Sequence, residues 1–455
     1  MKSTDQFSGS FAVRLAPRPL YRLWFHRFME LLFIRNEPVD SRTSPGLSLE
    51  RILQRRDHKV SLLLPLLDPE DPALRSFARR LITVQVELDG ETHELSILTG
   101  RDRDGIERTY LAHPGFEGGL DEAHEILFAR AAVNYLGENE SVVDIVYGAD
   151  HVGALALRQL QIEDDAAIRI LLVHDSPIPE KDALLAADAI FASREALLDA
   201  VDAALGDDRA ERILRLLTPS LDQAEWNPLT DPALKSRFDP LDLRGKAACK
   251  TALQRELSLP IRDDIPLYGV VASDEDTAGL ELLIEIGPEL LKNDVQLIVH
   301  TDARGELIGA LEELWDHFPD RLQIRTGRDD AFIHQLIAGA DLLLLPIERG
   351  DDLLFALAAQ RYGTLPIVSK EAPIADALVD IDPAIQSGNA FIFGRLEREE
   401  LLAVLRRARG AFEYRDRLKR LIQLAMRIEQ SQERAAEFHE HLIIELIERG
   451  ETPAA

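Results

Sequence analysis

Few residues in this chain stand at the spacings that familiar chemistry requires. The sequence holds no P-loop, no G-x-G-x-x-G, no G-x-S-x-G and no H-E-x-x-H. That removes phosphate-cradling NTPase loops, dinucleotide fingerprints, hydrolase nucleophile elbows and zincin metal sites of those types. His439 and His441 lie two residues apart in a helical pattern, hence on different faces, so they are poor metal partners and read as solvated surface residues. Cys249 is the only cysteine; it excludes an internal disulfide and a cysteine zinc cluster, and reads as a small buried apolar residue in a reducing compartment. No metal site and no cofactor is expected. Arg325, Arg328 and Arg349 fall in or near loops and could supply positive charge to a ligand. Pairing with the many surface carboxylates is the simpler expectation for them.

These side chains need a scaffold, and the chain is long enough for two. At 455 residues it exceeds what one core usually fills. Short apolar runs recur at Leu31–Ile34, Val60–Leu64, Val142–Tyr147, Ile168–His174, Leu267–Ala272, Gln296–His300, Leu342–Pro346 and Leu365–Val368, each followed by a helical pattern. Runs of that kind between helices predict parallel strands covered on both faces. Leu81–Leu88 and Thr92–Leu98 instead alternate around Asp89-Gly90, which predicts an antiparallel hairpin. A stretch from Trp226 to Asp264, rich in proline and acids, divides the two strand sets, with a helix expected over Gly245–Leu257. Beyond Glu397 the pattern is helical. Two doubly wound α/β domains would place a ligand at the carboxyl ends of their strands.

The net charge of −28 opposes nucleic acid, and would oppose an anionic sugar nucleotide unless a local basic pocket answered it. No apolar run approaches the roughly 20 residues that span a bilayer, so an integral membrane protein is not expected. The first 28 residues differ from the rest: Arg14, Arg18, Arg22 and Arg27 interleave with Leu20, Leu23, Trp24, Phe25 and Phe28. That basic amphipathic segment lacks the continuous apolar core of a signal peptide, which points to a cytoplasmic protein. It is read as a helix packed on the adjoining domain, or as a docking segment for a partner or a membrane surface.

The stretch WNPLTDP (Trp226–Pro232) followed by GKAACKTALQ (Gly245–Gln254) resembles the segment joining the two domains of bacterial glycogen synthases. HQLIAGADLLLLP (His334–Pro346), QRYGTLPIV (Gln360–Val368), ADALVD (Ala375–Asp380) and NAFIF (Asn389–Phe393) are similar to later blocks of that family in the same order. LLFIRNEP near Leu31, FARAAVNYL near Phe128, DIVYGADHVGALAL near Asp144 and LLVHDSP near Leu171 extend the resemblance to nearly the whole chain. It implies a GT-B fold, two Rossmann-like domains facing across a cleft. The implied division is 1–29 as the basic segment, 30–240 and 241–430 as the two domains, and 431–455 as a C-terminal helix packing back on the first. The family's activity is transfer of glucose from ADP-glucose or UDP-glucose to an α-1,4-glucan, with retention and without metal.

That chemistry needs cations for the departing diphosphate and preorganised groups for the sugar. Matched to the family's KTGGLGD loop, this chain reads TSPGLSL, with Thr43 for the lysine, Pro45 for the first glycine and Gly46 retained. Against SRLxxQKG it reads ASDEDTAG: Ser273 replaces the arginine, Ala278 the lysine, and Asp274, Glu275 and Asp276 add acids. Against SRFEPCGLTQ it reads IERGDDLLFA, with Gly350 at the glutamate position and Glu348 two residues away. GGLAD becomes APIAD, keeping Asp376. His174 matches the histidine of IHN, with Asp175 for its asparagine, and Asp150 matches the aspartate of HAHDWH. Gly46, Asp150, His174 and Glu348 are the residual candidates for substrate contact, although Asp150 and His174 would serve equally as hydrogen-bonded residues at strand ends. The resemblance with these replacements implies a glycogen synthase-like pseudoenzyme, without sugar-nucleotide binding, that partners an α-glucan or another glycogen-metabolism protein. The alternative is an active retaining glucosyltransferase whose site has moved to charges such as Glu348, Arg349 or Lys370.

Overall fold

The computed structural model describes residues 28–36, 49–102, 105–138, 143–162, 167–174, 177–217, 219–272, 277–327, 329–348, 351–382 and 387–451. Within those residues the chain divides into two compact units. The first runs to Leu217 and resumes at Ala436; the second holds the stretch between, up to Ala435. Each is a sheet covered by helices on both faces.

The first unit contributes β1 (Glu30–Ile34), β2 (Lys59–Pro65), β3 (Ala78–Leu88), β4 (Glu91–Arg101), β5 (Glu107–Ala112), β6 (Ile145–Ala149), β7 (Ile168–Val173), β8 (Ala189–Ala192) and β9 (Ile213–Leu216). They are ordered β3-β4-β5-β2-β1-β6-β7-β8-β9. All neighbours are parallel except in the β3-β4-β5 flap. The hairpin expected at Asp89-Gly90 is present. Both turn residues have positive φ, 53° and 84°, the conformation a tight two-residue hairpin demands and that Asp and Gly tolerate. Alternate strand residues feed two cores. Leu32, Ile34, Val146, Leu171 and Val173 face one way; Leu31, Phe33, Ile145, Tyr147, Ile170 and Leu172 face the other. That two-sided burial is why these strands read as unbroken apolar runs.

The helix Gln432–Glu451 covers the second of those faces with Leu442, Ile443, Leu446 and Ile447. His439 continues the same stripe one turn earlier. It is 3% exposed and stacked on Phe191 at 4.7 Å between ring centres, so the expectation that it is solvated is corrected. The helical spacing of 439, 442, 443 and 446 places its ring inward. His441 is exposed, as expected.

The second unit contributes β10 (Leu267–Ala272), β11 (Gln296–Thr301), β12 (Leu322–Thr326), β13 (Leu342–Leu344), β14 (Leu365–Ser369) and β15 (Phe391–Phe393). All are parallel, ordered β12-β11-β10-β13-β14-β15. The predicted helix at the start of this unit spans Arg244–Glu256. No strand was expected at β5, β8, β9, β12 or β15. Of these, β8, β9 and β15 are only three or four residues long, and β9, β12 and β15 are sheet edges. Strand β6 begins at Ile145 rather than Val142.

Candidate functional site

In both sheets the carboxyl ends of the parallel strands carry the polar residues. In the first unit β6 hands over directly to the helix Asp150–Ile162. An added Cβ on Gly148 would stand 2.6 Å from the Gly153 carbonyl oxygen, and one on Gly153 only 2.3 Å from the carbonyl carbon of Gly148. Two glycines thus let the first helical turn press onto the strand end. Asp150 makes the corner at φ 53°, a left-handed conformation that aspartate tolerates better than most residues.

The corner aims the Asp150 carboxylate at the end of β7. Its Oδ1 accepts the His174 backbone N–H at 2.7 Å, and its Oδ2 lies 3.2 Å from His174 Nδ1. Burial opposes ionisation of Asp150, but the hydrogen bonds from His174 and the charges of His174 and Arg35 outweigh it and hold the carboxyl below its usual range. Asp150 therefore serves as an ionised acceptor that fixes the imidazole. Ser193 Oγ donates to the His174 carbonyl at 2.8 Å and ties in β8. Arg35, just past β1, donates to buried Glu50 at 2.7 Å. His151 Nδ1 lies 2.7 Å from Glu125 Oε2. The structure brings Asp150 and His174 together, and joins to them Arg35, which the sequence reading passed over. Its signal was its position one residue beyond an apolar strand.

In the second unit Ala278 is exposed and opens the helix Ala278–Leu290. Its methyl group offers no charge or hydrogen bond to a ligand. Gly279 behind it is a packing residue: an added Cβ would stand 1.6 Å from the Pro346 carbonyl oxygen. Glu348 is half-buried and turned into the fold. Its Oε1 accepts Ser369 Oγ at 2.8 Å and the Leu396 N–H at 3.2 Å, and Ser369 Oγ also lies 3.0 Å from the Gly394 carbonyl. Arg325 pairs with Asp329 at 2.9 Å and lies 3.8 Å from Glu256, the surface pairing expected for it. Thr43, Gly46, Ser273 and Gly350 lie outside the described residues. So do Pro45, Asp175, Arg328, Arg349, the acids 274–276 and residues 1–27 of the basic segment. Among the described residues no group of three or more His, Cys, Asp or Glu side chains could hold a metal ion, and no helix is long and apolar enough to cross a membrane.

The segments that carry the family resemblance converge in one buried polar network of this unit. Asp231 accepts His334 Nδ1 at 2.7 Å and the Tyr362 hydroxyl, while Trp226 stacks on His334 at 3.8 Å. Lys246 donates to the carbonyls of Ala338 and Ala340 and to Thr364 Oγ1. Burial pushes its ammonium down to about 8, with Asp341 acting the other way. Lys250 pairs with Asp341 at 2.7 Å and donates to the Ile265 carbonyl. Buried polar groups bonded to one another in this way rigidify a core and specify its packing. Cys249 is buried beside them.

No family model matches the chain. Among curated proteins it is 28% identical to a glycogen synthase of Anaeromyxobacter sp. (strain Fw109-5), over 91% of this chain and 98% of that protein. It is 36% identical to the glycogen synthase of Anaeromyxobacter dehalogenans (strain 2CP-C) over 51% of this chain, and 33% identical to soluble starch synthase 1 of Solanum tuberosum over 50%. In these last two the chain spans 48% and 36% of the relative's length. Among solved structures, the catalytic domain of Arabidopsis thaliana starch synthase IV bound to ADP and acarbose superposes with a TM-score of 0.70 at 20% identity, covering 92% of this chain and all of that one. The two parallel-sheet units are those of a GT-B glycosyltransferase fold. Within that class the chain is similar to glycogen synthases over nearly its whole length and to starch synthases over about half of it.

Proposed function

We propose that this chain is a noncatalytic, cytoplasmic member of the glycogen synthase group that binds α-glucan, or another protein of glycogen metabolism, without transferring glucose. The observation that carries the reading is at Ala278. Where the relatives' resemblance would put a lysine for the diphosphate, an exposed methyl group opens the helix. Transfer from a sugar nucleotide relies on preorganised positive charge at the departing diphosphate, and losing one such donor typically costs roughly 10²–10³ in rate. Glu348 does not compensate, because two hydrogen bonds hold its Oε1 to the ends of β14 and β15. Asp150 and His174, bonded to each other, suit recognition of sugar hydroxyls without needing a charged donor.

The experiment is a pair of titrations on the full chain, with glycogen sedimentation for the polymer and calorimetry for ADP-glucose and UDP-glucose. The expected result is cosedimentation with glycogen and no heat from either nucleotide at millimolar concentration. Saturable binding of either nucleotide would contradict the proposal and favour an active transferase with a relocated site.

A further inference from the structure

The helix Arg415–Ala425 of the second unit runs against the charge of the chain. The sequence holds 80 acids to 52 Lys and Arg, yet this helix of 11 residues carries Arg415, Arg417, Lys419 and Arg420 against the single acid Asp416. Its apolar stripe, Leu418, Leu421 and Ala425, is buried in the core. Arg417, Arg420 and Leu424, spaced three and four apart, form a second stripe that faces solvent, with Leu424 55% exposed. Arg417 touches only the exposed ring of Tyr414, at 5.5 Å. Neither Arg417 nor Arg420 makes a side-chain hydrogen bond or ion pair with another described residue. The other two cations are engaged elsewhere: Arg415 donates to the Asp263 carbonyl at 2.6 Å, and Lys419 acts on Asp242. The stripe thus presents two forked donors and an apolar side chain, a combination suited to a protein partner that brings carboxylates and an aromatic.

That complement stands at the opposite edge of the same sheet. The helix Glu306–His317 joins β11 to the edge strand β12, whereas the helix Arg415–Ala425 packs on the helices Phe355–Arg361 and Arg398–Phe412 beside β14 and β15. The first of these carries Glu306, Glu312, Glu313 and Asp316 and no Lys or Arg. Glu312 and Asp316, four apart, share its solvent face, and Trp315 next to them is 38% exposed. Glu312, Glu313 and Asp316 make no ion pair with another described residue. An anionic lipid surface would attract the two arginines but be repelled by the rest of this acidic chain. A second copy brings its own acids and indole at the matching one-turn spacing. We infer that the helix Arg415–Ala425 of one copy docks on the helix Glu306–His317 of a second, Arg417 and Arg420 pairing with Glu312 and Asp316 while Leu424 meets Trp315. The two surfaces differ, so the contact is head-to-tail and continues into open chains or a ring instead of stopping at a two-fold dimer. Two short helix faces bury less than the roughly 1,200 Å² of a standard interface, which makes the contact weak and reversible. At about 0.15 M salt the screening length of about 8 Å suppresses repulsion between the acidic bodies more than attraction between side chains in contact.

The test is sedimentation velocity of the full chain over a concentration series reaching the high micromolar range, in about 0.15 M and about 1 M salt. The wild-type mass is expected to rise past that of a dimer in the lower salt and much less in the higher. Two charge-reversed variants, Arg417→Glu with Arg420→Glu and Glu312→Lys with Asp316→Lys, should each weaken association by about 10-fold or more. All four positions are exposed, and circular dichroism checks that each variant folds. Mixing the two variants in equal amounts restores association, because each presents one sign of charge on both helices and the other supplies its complement. A merely structural defect would not be rescued in this way. A wild-type chain that stays monomeric throughout overturns the inference, as do variants that associate like the wild type or a mixture that shows no rescue. Cosedimentation of a monomeric wild type with phosphatidylserine vesicles, lost in the arginine variant, would assign the stripe to a lipid surface and overturn it too.

Discussion

His439 shows how much a single side chain can make stability depend on pH. Its ring lies against Phe191, with Tyr147 and Phe438 around it, and its Nδ1 has no hydrogen-bond partner among the described residues. Burial pushes its pKa down to about 4 from 6.5. A base with a lowered folded pKa takes up its proton in the unfolded chain first. Its contribution is complete above pH 6.5 and is lost as pH falls from there toward 4. The full loss is of order 3 kcal/mol. Glu440 on the same helix bonds Arg56 and His58, and those bonds, against the cost of burial, hold its carboxyl below its usual range; its contribution fades only at the acid end of that window. Urea unfolding of wild type and His439→Phe at pH 7 and pH 5 separates the two. The variant should lose most of the wild type's drop in midpoint between those pH values. Equal drops would show that His439 is already charged, or not buried, in the folded chain. Nothing in the sequence announced this residue, because the stripe 439, 442, 443, 446 emerges only once one asks which face of the last helix is inward. Asp150 and His174 were legible individually through the family resemblance. Their mutual hydrogen bonds were not, since they depend on a left-handed corner at Asp150.

At the scale of elements, the strands with two buried faces were readable as apolar runs, and the hairpin was readable from Asp89-Gly90. The short strands β8 and β15 were not, because four or three residues with small side chains or a single aromatic pair give no periodic signal. The junction between β13 and the helix Ala278–Leu290 makes a sharp case. Gly279 closes it so tightly that a methyl group would collide with the Pro346 carbonyl, a backbone atom that cannot rotate away. Gly279→Ala should therefore cost about 3 kcal/mol or more. The melting temperature should fall by roughly 6–12 °C for a unit of this size. Ala278→Lys, one residue earlier and exposed, should change stability by no more than about 0.5 kcal/mol. A Gly279→Ala protein that melts with the wild type would mean the helix sits farther from β13 than described. The two variants side by side distinguish a residue held by packing from one whose identity is free to follow function.

At the scale of the whole molecule, two sets of residues have separate fates. Those that build the buried network of the second unit, Asp231, Lys246, Lys250, His334, Asp341, Tyr362 and Thr364, match the family blocks and satisfy one another's hydrogen bonds. They explain why the resemblance is most legible in the second unit: those motifs encode packing as much as chemistry. The positions that the resemblance matches to the family's diphosphate-binding cations carry other residues here, and the described one, Ala278, is exposed and uncharged. Shared packing residues together with the uncharged Ala278 support the proposed noncatalytic role. The most direct test is incorporation of labelled glucose into glycogen by the purified full chain, from ADP-glucose and separately from UDP-glucose, beside an active glycogen synthase. The account predicts no incorporation above background from a folded sample that still sediments with glycogen. Sustained incorporation from either donor would contradict it and make the chain an active glucosyltransferase with a relocated site.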